Sequence, residues 1–171
     1  MSYFENFGKI LYDPIGDNNP KLVTNIMSRV RMRAHMKKNV IMLDSYDVQE
    51  NESPEIVADK HHGSPYYHWV VMLLNDISDV NHDWVKSTRQ LQKYLLSKYT
   101  ETQLTETHHY EISQTSGDTS TKIEVENSTY PSATAISNYE YEVALNESKR
   151  KIDLLRNDYL GYFTDEFENL I

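Results

Sequence analysis

Residues 46–77 decide the fold of this chain, and they read YDVQENESPEIVADKHHGSPYYHWVVMLLNDI. Tyr46 and Val48 alternate with polar residues, which is the period-two pattern of a half-buried strand. Ser53 and Ser64 are each followed by a proline. Serine caps a helix well, and proline suits the first helical turn, where its missing N–H has no consequence. The stretch therefore predicts one strand followed by two short helices.

The second of these helices is expected to be buried. Residues 69–74 read WVVMLL and are apolar nearly all round, as in a helix enclosed by other elements. Gly63 ends the first helix, because glycine readily takes the left-handed backbone of a helix C-terminus. Residues 75–77 then read as a return into a second strand. Together these segments predict a small β-α-α-β module over residues 40–86, in a chain of the α+β class.

Residues 1–39 are predicted to form an N-terminal arm followed by a basic helix. Turn-forming pairs such as Asp13-Pro14 punctuate the first twenty-two residues, and residues 10–12 fit a short strand. Apolar residues recur at helical spacing after that, which predicts a helix over residues 24–38.

Residues 87–136 are predicted to form a helix and a β-hairpin. The helix covers residues 87–99. In the hairpin, residues 110–112 and 123–125 alternate in polarity on either side of a Ser-Gly-Asp turn. A hairpin alone is marginally stable, so this one is expected to need a partner surface.

Residues 137–171 contain no proline and are predicted to form one long C-terminal helix. Ser137 and Glu140 have the spacing of a capping box. Such a helix is longer than most helices of globular proteins. Its length favours packing against other subunits, and folding back on its own module is the alternative. The apolar stripe consists of Tyr141, Leu145, Ile152, Leu155, Tyr159, Phe163 and Leu170.

The composition indicates a protein that completes its burial in a complex. The mean hydropathy is −0.67, and thirteen tyrosines stand against four phenylalanines. Tyrosine suits surfaces that become buried, because it has an apolar ring and a polar tip. No cysteine is present, which excludes disulfides and thiolate zinc sites. The N-terminus does not resemble a secretory signal, and the longest apolar run is too short to span a membrane.

A basic strip lies near the N-terminus of an otherwise acidic chain. Residues 21–40 carry six lysines and arginines and no acidic residue, whereas the whole chain has a net charge of −9. The strip is either a solvated face or a docking surface for an acidic neighbour, since complementary charge steers association. Nucleic acid is not the expected partner, because the chain is acidic and the strip lacks interleaved aromatic residues. The residues expected to dock are Arg29, Arg31 and Arg33.

The sequence offers little for catalysis. No nucleophile elbow, phosphate-binding loop or dinucleotide fingerprint is present. His61 and His62 are adjacent on a predicted helix and point about 100° apart, so they share an ion poorly. We therefore expect neither an enzyme nor a metal or cofactor site.

The aromatic run before the second helix has two interpretations. Trp69 and one tyrosine fill the interior of the module, which is the commoner role of such residues. Alternatively, Tyr66 and Tyr67 face outward at the start of the helix and anchor a neighbouring subunit.

The strand, the two helices, the Gly63 break and the return at residues 75–77 resemble a LysM module. The variant with SPEIVA followed by HGSPYYHWVV is most similar to the baseplate wedge subunit of T4-like contractile-tailed phages that carries such a domain. Later segments fall in a matching order, from residues 83–84 and 108–111 to residues 138–150. The resemblance therefore spans most of the chain.

The resemblance implies a structural component of a phage tail baseplate wedge. Such a protein is located in the virion, is assembled in the host cytoplasm and has no membrane or nucleic-acid partner. Its implied partners are the core-bundle subunits, the sheath-initiating wedge protein and the central hub, around which it clamps neighbouring wedges in roughly six copies. Besides the three arginines, the expected interface anchors are Tyr66, Tyr67, Trp84, Tyr159 and Phe163.

A glycan-binding LysM protein is the alternative function. Glycan-binding modules usually carry a Gly-Asp-Thr-Leu-like turn after the first strand, whereas residues 50–54 here read ENESP. A metal-dependent hydrolase is a third class, supported by the histidines alone.

Overall fold

The structure is a computed structural model, and it describes residues 3–5, 7–28, 30–32, 37, 39, 41–114 and 121–171. Helices and strands are mixed along the chain, which confirms the predicted α+β class. The chain divides into two compact units. Unit 1 comprises Met1–Trp84 and Lys151–Ile171, and unit 2 comprises Val85–Arg150. Unit 2 is therefore inserted into the sequence of unit 1.

Seven strands and seven α-helices are assigned within the described residues. The strands are β1 (Lys9–Tyr12), β2 (Lys21–Thr24), β3 (Leu43–Asp47), β4 (Thr107–Ser113), β5 (Lys122–Val125), β6 (Thr134–Ser137) and β7 (Lys151–Leu155). The helices are α1 (Pro54–His62), α2 (His68–Leu74), α3 (Val80–Asp83), α4 (Thr88–Lys98), α5 (Glu101–Thr105), α6 (Asn138–Ser148) and α7 (Asn157–Leu170). A 3₁₀ turn, Pro65–Tyr67, precedes α2.

The predicted strand and first helix of the module are confirmed. The strand is β3, and α1 begins at Pro54 after Ser53 in an extended conformation. Gly63 ends α1 with φ of 73°, and its N–H donates to the carbonyl of Asp59 over 2.9 Å. The Ser64 hydroxyl accepts the Tyr66 N–H at the 3₁₀ turn. The second proline thus starts a 3₁₀ turn that leads directly into α2.

The predicted closing strand at residues 75–77 is wrong. Asn75 is the residue after the end of α2, and Asp76 has a positive φ of 55°. The strand that pairs antiparallel with β3 is β7, with Tyr46 opposite Ile152. Asn75 nevertheless contacts that strand, because its amide donates to the Asp153 carbonyl over 2.8 Å and accepts the Asp153 N–H over 2.9 Å. One side chain thus provides the pair of hydrogen bonds that a neighbouring strand would have made.

The single helix predicted over residues 137–171 is also wrong. The capping box at Ser137 and Glu140 is confirmed, but the helix that it starts, α6, ends at Ser148. Strand β7 follows, and α7 begins only at Asn157. The reason is the alternation within β7, where Ile152 and Leu154 are buried and Lys151 and Asp153 are exposed. This period-two pattern lies inside an apolar stripe that also fits helical spacing.

The helix predicted over residues 24–38 is wrong for residues 24–28 and 30–32, whereas Lys37 is helical. Thr24 ends β2, and residues 25–28 and 30–32 form turns and irregular backbone. Consecutive apolar residues in β2 pair with β1, and this pairing fixes the local backbone as extended. Most of residues 33–38 lie outside the described residues.

The core of unit 1 joins both ends of the chain to α2. Trp69 is its centre, with ring centroids 4.4 Å from Phe167 and 5.8 Å from Phe163 of α7. Phe7 also lies in the core, with its ring centroid 6.3 Å from that of Phe167. Burying each such side chain stabilises the fold by about 1.5–3 kcal/mol. Among the described residues, those buried in this core are Phe7, Met32, Trp69, Val70, Leu74, Leu155, Phe163 and Phe167.

The described residues of unit 2 form three helices and a three-stranded sheet. Helix α4 starts at a capping box formed by Ser87 and Gln90, as the predicted helix requires. The predicted hairpin is confirmed by the antiparallel pairing of β4 and β5, with Ile112 opposite Ile123. Its expected partner surface includes β6, which pairs along the other edge of β4 and gives the order β5-β4-β6.

Polar contacts hold the helices of unit 2 together. Glu142 of α6 is buried and accepts hydrogen bonds from Lys98 and from the Tyr99 hydroxyl. Bonding to this carboxylate raises the pKa of Lys98, so the ammonium stays charged. The Asn146 amide binds both the N–H and the carbonyl of Lys86, over 2.8 and 3.0 Å. These bonds join the first and last segments of the insertion.

We expect Trp69→Ala to destabilise unit 1 by about 3–5 kcal/mol, because it removes the aromatic centre of a packed core. Urea unfolding followed by circular dichroism measures the change. Tyr66→Ala is the matched control, since this ring is 63% exposed and its loss should change the free energy of unfolding by about 0.5 kcal/mol or less. Equal losses in the two variants would contradict the assigned core.

Asn75→Ala should destabilise unit 1 by about 1–3 kcal/mol, because it leaves the N–H and carbonyl of Asp153 without their partner. Asn75→Asp should have an intermediate effect, since its carboxylate accepts the N–H but cannot donate to the carbonyl. Urea unfolding of the two variants provides the test. If both retained wild-type stability, the bridge from Asn75 to β7 would have no energetic role.

Candidate assembly surface

The β1–β2 hairpin of unit 1 carries a group of exposed apolar side chains. We call it the arm, and it comprises residues 9–27. Its two strands pair antiparallel, with Ile10 opposite Val23 and Leu11 opposite Leu22. No third strand joins this sheet within the described residues. Two-stranded sheets without a covered face are marginal in water, so the arm has backbone and side chains available to a partner.

Both faces of the arm are apolar. Residues directly opposite each other in an antiparallel pair point to the same face, and successive residues point to opposite faces. Leu11 and Leu22 therefore share one face and are 69% and 62% exposed. Ile10, Val23 and Tyr12 share the other face and are exposed as well. Strands that are apolar on both faces are typical of strands covered on both sides.

The turn of the arm is held by one aspartate. The Asp13 carboxylate accepts the N–H groups of Ile15, Gly16 and Asn18, over 2.7 to 3.2 Å. The bond from the Gly16 N–H is the main reason that the pKa of Asp13 is lowered. Gly16 and Asn18 both have positive φ, which suits a glycine and an asparagine. This local bonding defines the tip without help from a core.

The base of the arm lies next to the core of unit 1. The Asn25 N–H donates to the Gly8 carbonyl over 2.8 Å, and the neighbouring Phe7 is buried in the core. The arm therefore has an anchored base, a defined turn and two uncovered apolar faces. This combination is typical of a segment that becomes buried against another subunit.

The structure places only some of the predicted anchors at the surface. Tyr66 and Arg31 are exposed. Tyr67 is partly buried, packs against the core of unit 1 and makes an edge contact with His62. Arg29 and Arg33 lie outside the described residues. The roles of these residues at an interface stay predictions.

The other three predicted anchors lie in or against the core of unit 1. Trp84 is buried, and its indole N–H donates to the Glu52 carbonyl over 2.7 Å. Phe163 stacks on Trp69, and Tyr159 packs beside it. These side chains stabilise unit 1, and a contact with a partner through them stays a prediction.

The paired histidines have structural partners. The His61 ring donates through Nε2 to the Leu155 carbonyl over 3.0 Å. The Asn157 amide donates to the His61 carbonyl, so its oxygen accepts the Nδ1–H of His62 over 2.9 Å. The His62 Nε2 is then a buried nitrogen with no hydrogen-bond partner among the described residues. These hydrogen bonds connect the end of α1 with the end of β7 and the start of α7.

The histidines and carboxylates of the described residues do not cluster into a metal site. Within them, no group of three or more histidines and carboxylates is arranged to hold a metal ion. His109 bonds Glu111 over 2.9 Å and contacts the ring of His108, which stacks on Tyr141. The described helices are also too short or too polar to cross a membrane.

Sequence reasoning identified the first strand of the arm but not the arm as a surface. The available signal was consecutive apolar residues, Ile10-Leu11-Tyr12 and Leu22-Val23, each beside turn residues. Such runs indicate strands covered on both faces. The pairing of the two runs, which brings five apolar side chains onto one hairpin, becomes visible only in the structure.

An uncovered apolar arm with a defined turn is typical of proteins that assemble with other subunits. The family model described as base plate wedge protein 53 matches residues 2–131, about three quarters of the chain. The chain belongs to this family and is a structural protein of the phage tail baseplate. No curated protein matches the chain. The match includes the arm, α1 and α2, whereas β7 and α7 lie beyond it.

We expect unit 1 to lose stability as the pH falls below about 6.5. Burial lowers the pKa of His62, because a proton on Nε2 would have no acceptor, although the bond to Asn157 opposes this shift. The unfolded chain binds a proton at the ordinary histidine pKa of about 6.5 and the folded chain does not, so acid favours unfolding. Urea unfolding at several pH values between 7.5 and 5 measures the slope.

His62→Gln should flatten this slope, since glutamine does not titrate. His82→Gln is the matched control on an exposed histidine and should leave the slope unchanged. An unaltered pH dependence in the His62 variant would contradict the assignment of the effect to this ring. Below about 4.5 a second loss is expected, because bonds from Lys60, Gln49 and Tyr46 lower the pKa of Glu52 despite its burial.

Proposed function

We propose that this baseplate protein clamps neighbouring wedge subunits around the central hub of a contractile tail. The observation that carries the proposal is the arm, whose apolar side chains are exposed on both faces of one hairpin. A clamp needs a rigid body and a segment that reaches into a neighbour. Unit 1 supplies a packed aromatic core, and the arm is fixed to that core beside Phe7.

The two faces of the arm favour insertion between two partner elements over docking on one surface. Each apolar side chain that becomes buried contributes about 1.5–3 kcal/mol of transfer free energy. Five such residues, Ile10, Leu11, Tyr12, Leu22 and Val23, exceed the lower estimates of the free energy lost on association, about 4 kcal/mol. Covering one face alone would leave the other exposed to water. The arm therefore fits a cleft between two chains or two elements of one chain.

The family supports baseplate proteins as the partners. In this proposal they are the core-bundle subunits and the sheath-initiating wedge protein, with roughly six copies of the clamp arranged as a ring around the hub. Assembly would take place in the host cytoplasm, and the finished particle would hold the protein in its tail. The acidic net charge of −9 favours partners with basic surfaces away from the arm.

The test is co-expression of the chain with the candidate wedge proteins of the same particle, followed by size-exclusion chromatography with mass determination. Leu11→Lys should weaken the complex by about 2 kcal/mol or more, because an apolar anchor becomes a buried charge. The isolated protein should keep its stability within about 0.5 kcal/mol, since this side chain is exposed in it.

Leu96→Lys is the matched control, because Leu96 is an exposed leucine of α4 in unit 2. It should leave the complex intact. Equal weakening by the two variants would contradict a specific role of the arm. A wild-type chain that ignores every wedge candidate would contradict the clamp itself, and titration with peptidoglycan fragments would then examine the glycan-binding alternative.

A further inference from the structure

A groove of about 620 Å³ lies beside α2 in unit 1. Its volume is within the range of cavities that hold ligands or side chains of a partner. The residues that line it come from the end of α2, the turn after α2 and the segment after the arm. It is separate from the apolar faces of the arm, since no residue of β1 or β2 lines it.

The apolar part of the groove contains two methionines. Met72 and Leu73 of α2 are partly exposed there, and Ile77 lies in the turn that follows. Met32 contributes from the segment after the arm and is otherwise part of the core. Methionine is unbranched and polarizable, so a surface with methionines adapts to the side chains of a partner. This surface favours an apolar peptide segment as the occupant.

The charged part of the groove favours an acidic occupant. Lys37 is already paired with Asp76, so their charges cancel. Arg31 is exposed and has no carboxylate partner within the described residues. A neighbouring cavity of about 70 Å³ is lined by both Arg31 and Glu166, but these two side chains form no ion pair. The charged residues that line the groove are therefore Arg31, Lys37 and Asp76, and their charges sum to +1.

Arg31 lies within residues 21–40, which carry six lysines and arginines and no acidic residue in a chain whose net charge is −9. Positive charge is complementary to the aspartates and glutamates of a partner. The apolar lining and Arg31 therefore favour a partner segment that has both apolar and acidic side chains.

We propose that the groove binds a segment of a neighbouring baseplate protein that combines apolar side chains with aspartates or glutamates. The apolar residues lie on Met72, Leu73 and Ile77, and a carboxylate pairs with Arg31. This inference rests on the proposed assembly function and names the chemistry of one partner segment. It assigns a docking role to Arg31 alone among the arginines of the basic strip.

The first experiment uses the full chain with the photo-crosslinking residue p-benzoylphenylalanine in place of Met72. The chain is co-expressed with the wedge proteins of the same particle, irradiated, and the cross-linked peptide is sequenced by mass spectrometry. We expect one partner peptide that contains apolar residues and at least one Asp or Glu. The same residue in place of Leu96 is the control and should give no cross-link to that peptide.

The second experiment measures charge. Arg31→Glu should weaken the complex about tenfold at low salt and less at high salt, because the ion pair is screened by salt. Arg89 is an exposed residue of α4 in unit 2, so Arg89→Glu is the matched control. It should leave the affinity of the complex unchanged.

The possible outcomes distinguish a failure of the groove proposal from a failure of the assembly function. If the wild-type complex forms but Met72 gives no cross-link, or the cross-linked peptide lacks carboxylates, the groove proposal is wrong while the assembly function stands. Unchanged binding by the Arg31 variant would also overturn it. If no wedge protein binds the wild-type chain, the assembly function itself fails.

Discussion

The antiparallel pairing of β3 with β7 is the constraint on which unit 1 depends. These strands lie on either side of a long stretch of chain, since β3 ends at Asp47 and β7 begins at Lys151. Closing a long loop adds only about 0.6 kcal/mol for each doubling of its length. The chain can therefore include the whole of unit 2 between the two strands. The return of β7 also brings α7 to the core, where Phe163 and Phe167 meet Trp69.

Polar side chains make this discontinuous arrangement specific. Asn75 pairs with the backbone of β7, and Asn157 joins His61 and His62 at the end of α1. Glu52 accepts bonds from Tyr46 and Lys60 at the entry to α1. Apolar packing is not directional, whereas each of these hydrogen bonds fixes the relative orientation of the two segments that it joins. A buried polar group that loses its partner destabilises the fold by about 1–3 kcal/mol, so alternative pairings are disfavoured.

The buried aromatic core and the exposed apolar arm of unit 1 consist of different residues. The buried aromatic residues of unit 1 are shared by α2, α7 and the segment before the arm. The exposed apolar residues are concentrated on the arm, where local bonds to Asp13 shape the turn. Substitutions of the exposed side chains on the arm are therefore expected to have little effect on folding.

The sequence by itself determined the local elements of this protein. Cap residues and prolines placed α1 and the turn before α2, Gly63 placed the end of α1, and the capping box at Ser137 placed the start of α6. These signals act within a few residues, so no distant contact is needed to interpret them. Only the tertiary structure decided which strand closes the module. Residues 151–155 fit both an apolar helical stripe and an alternating strand, and pairing with β3 selected the strand. The same is true of the assembly surface, because the burial of Trp84 and the exposure of the arm depend on long-range packing rather than on residue type.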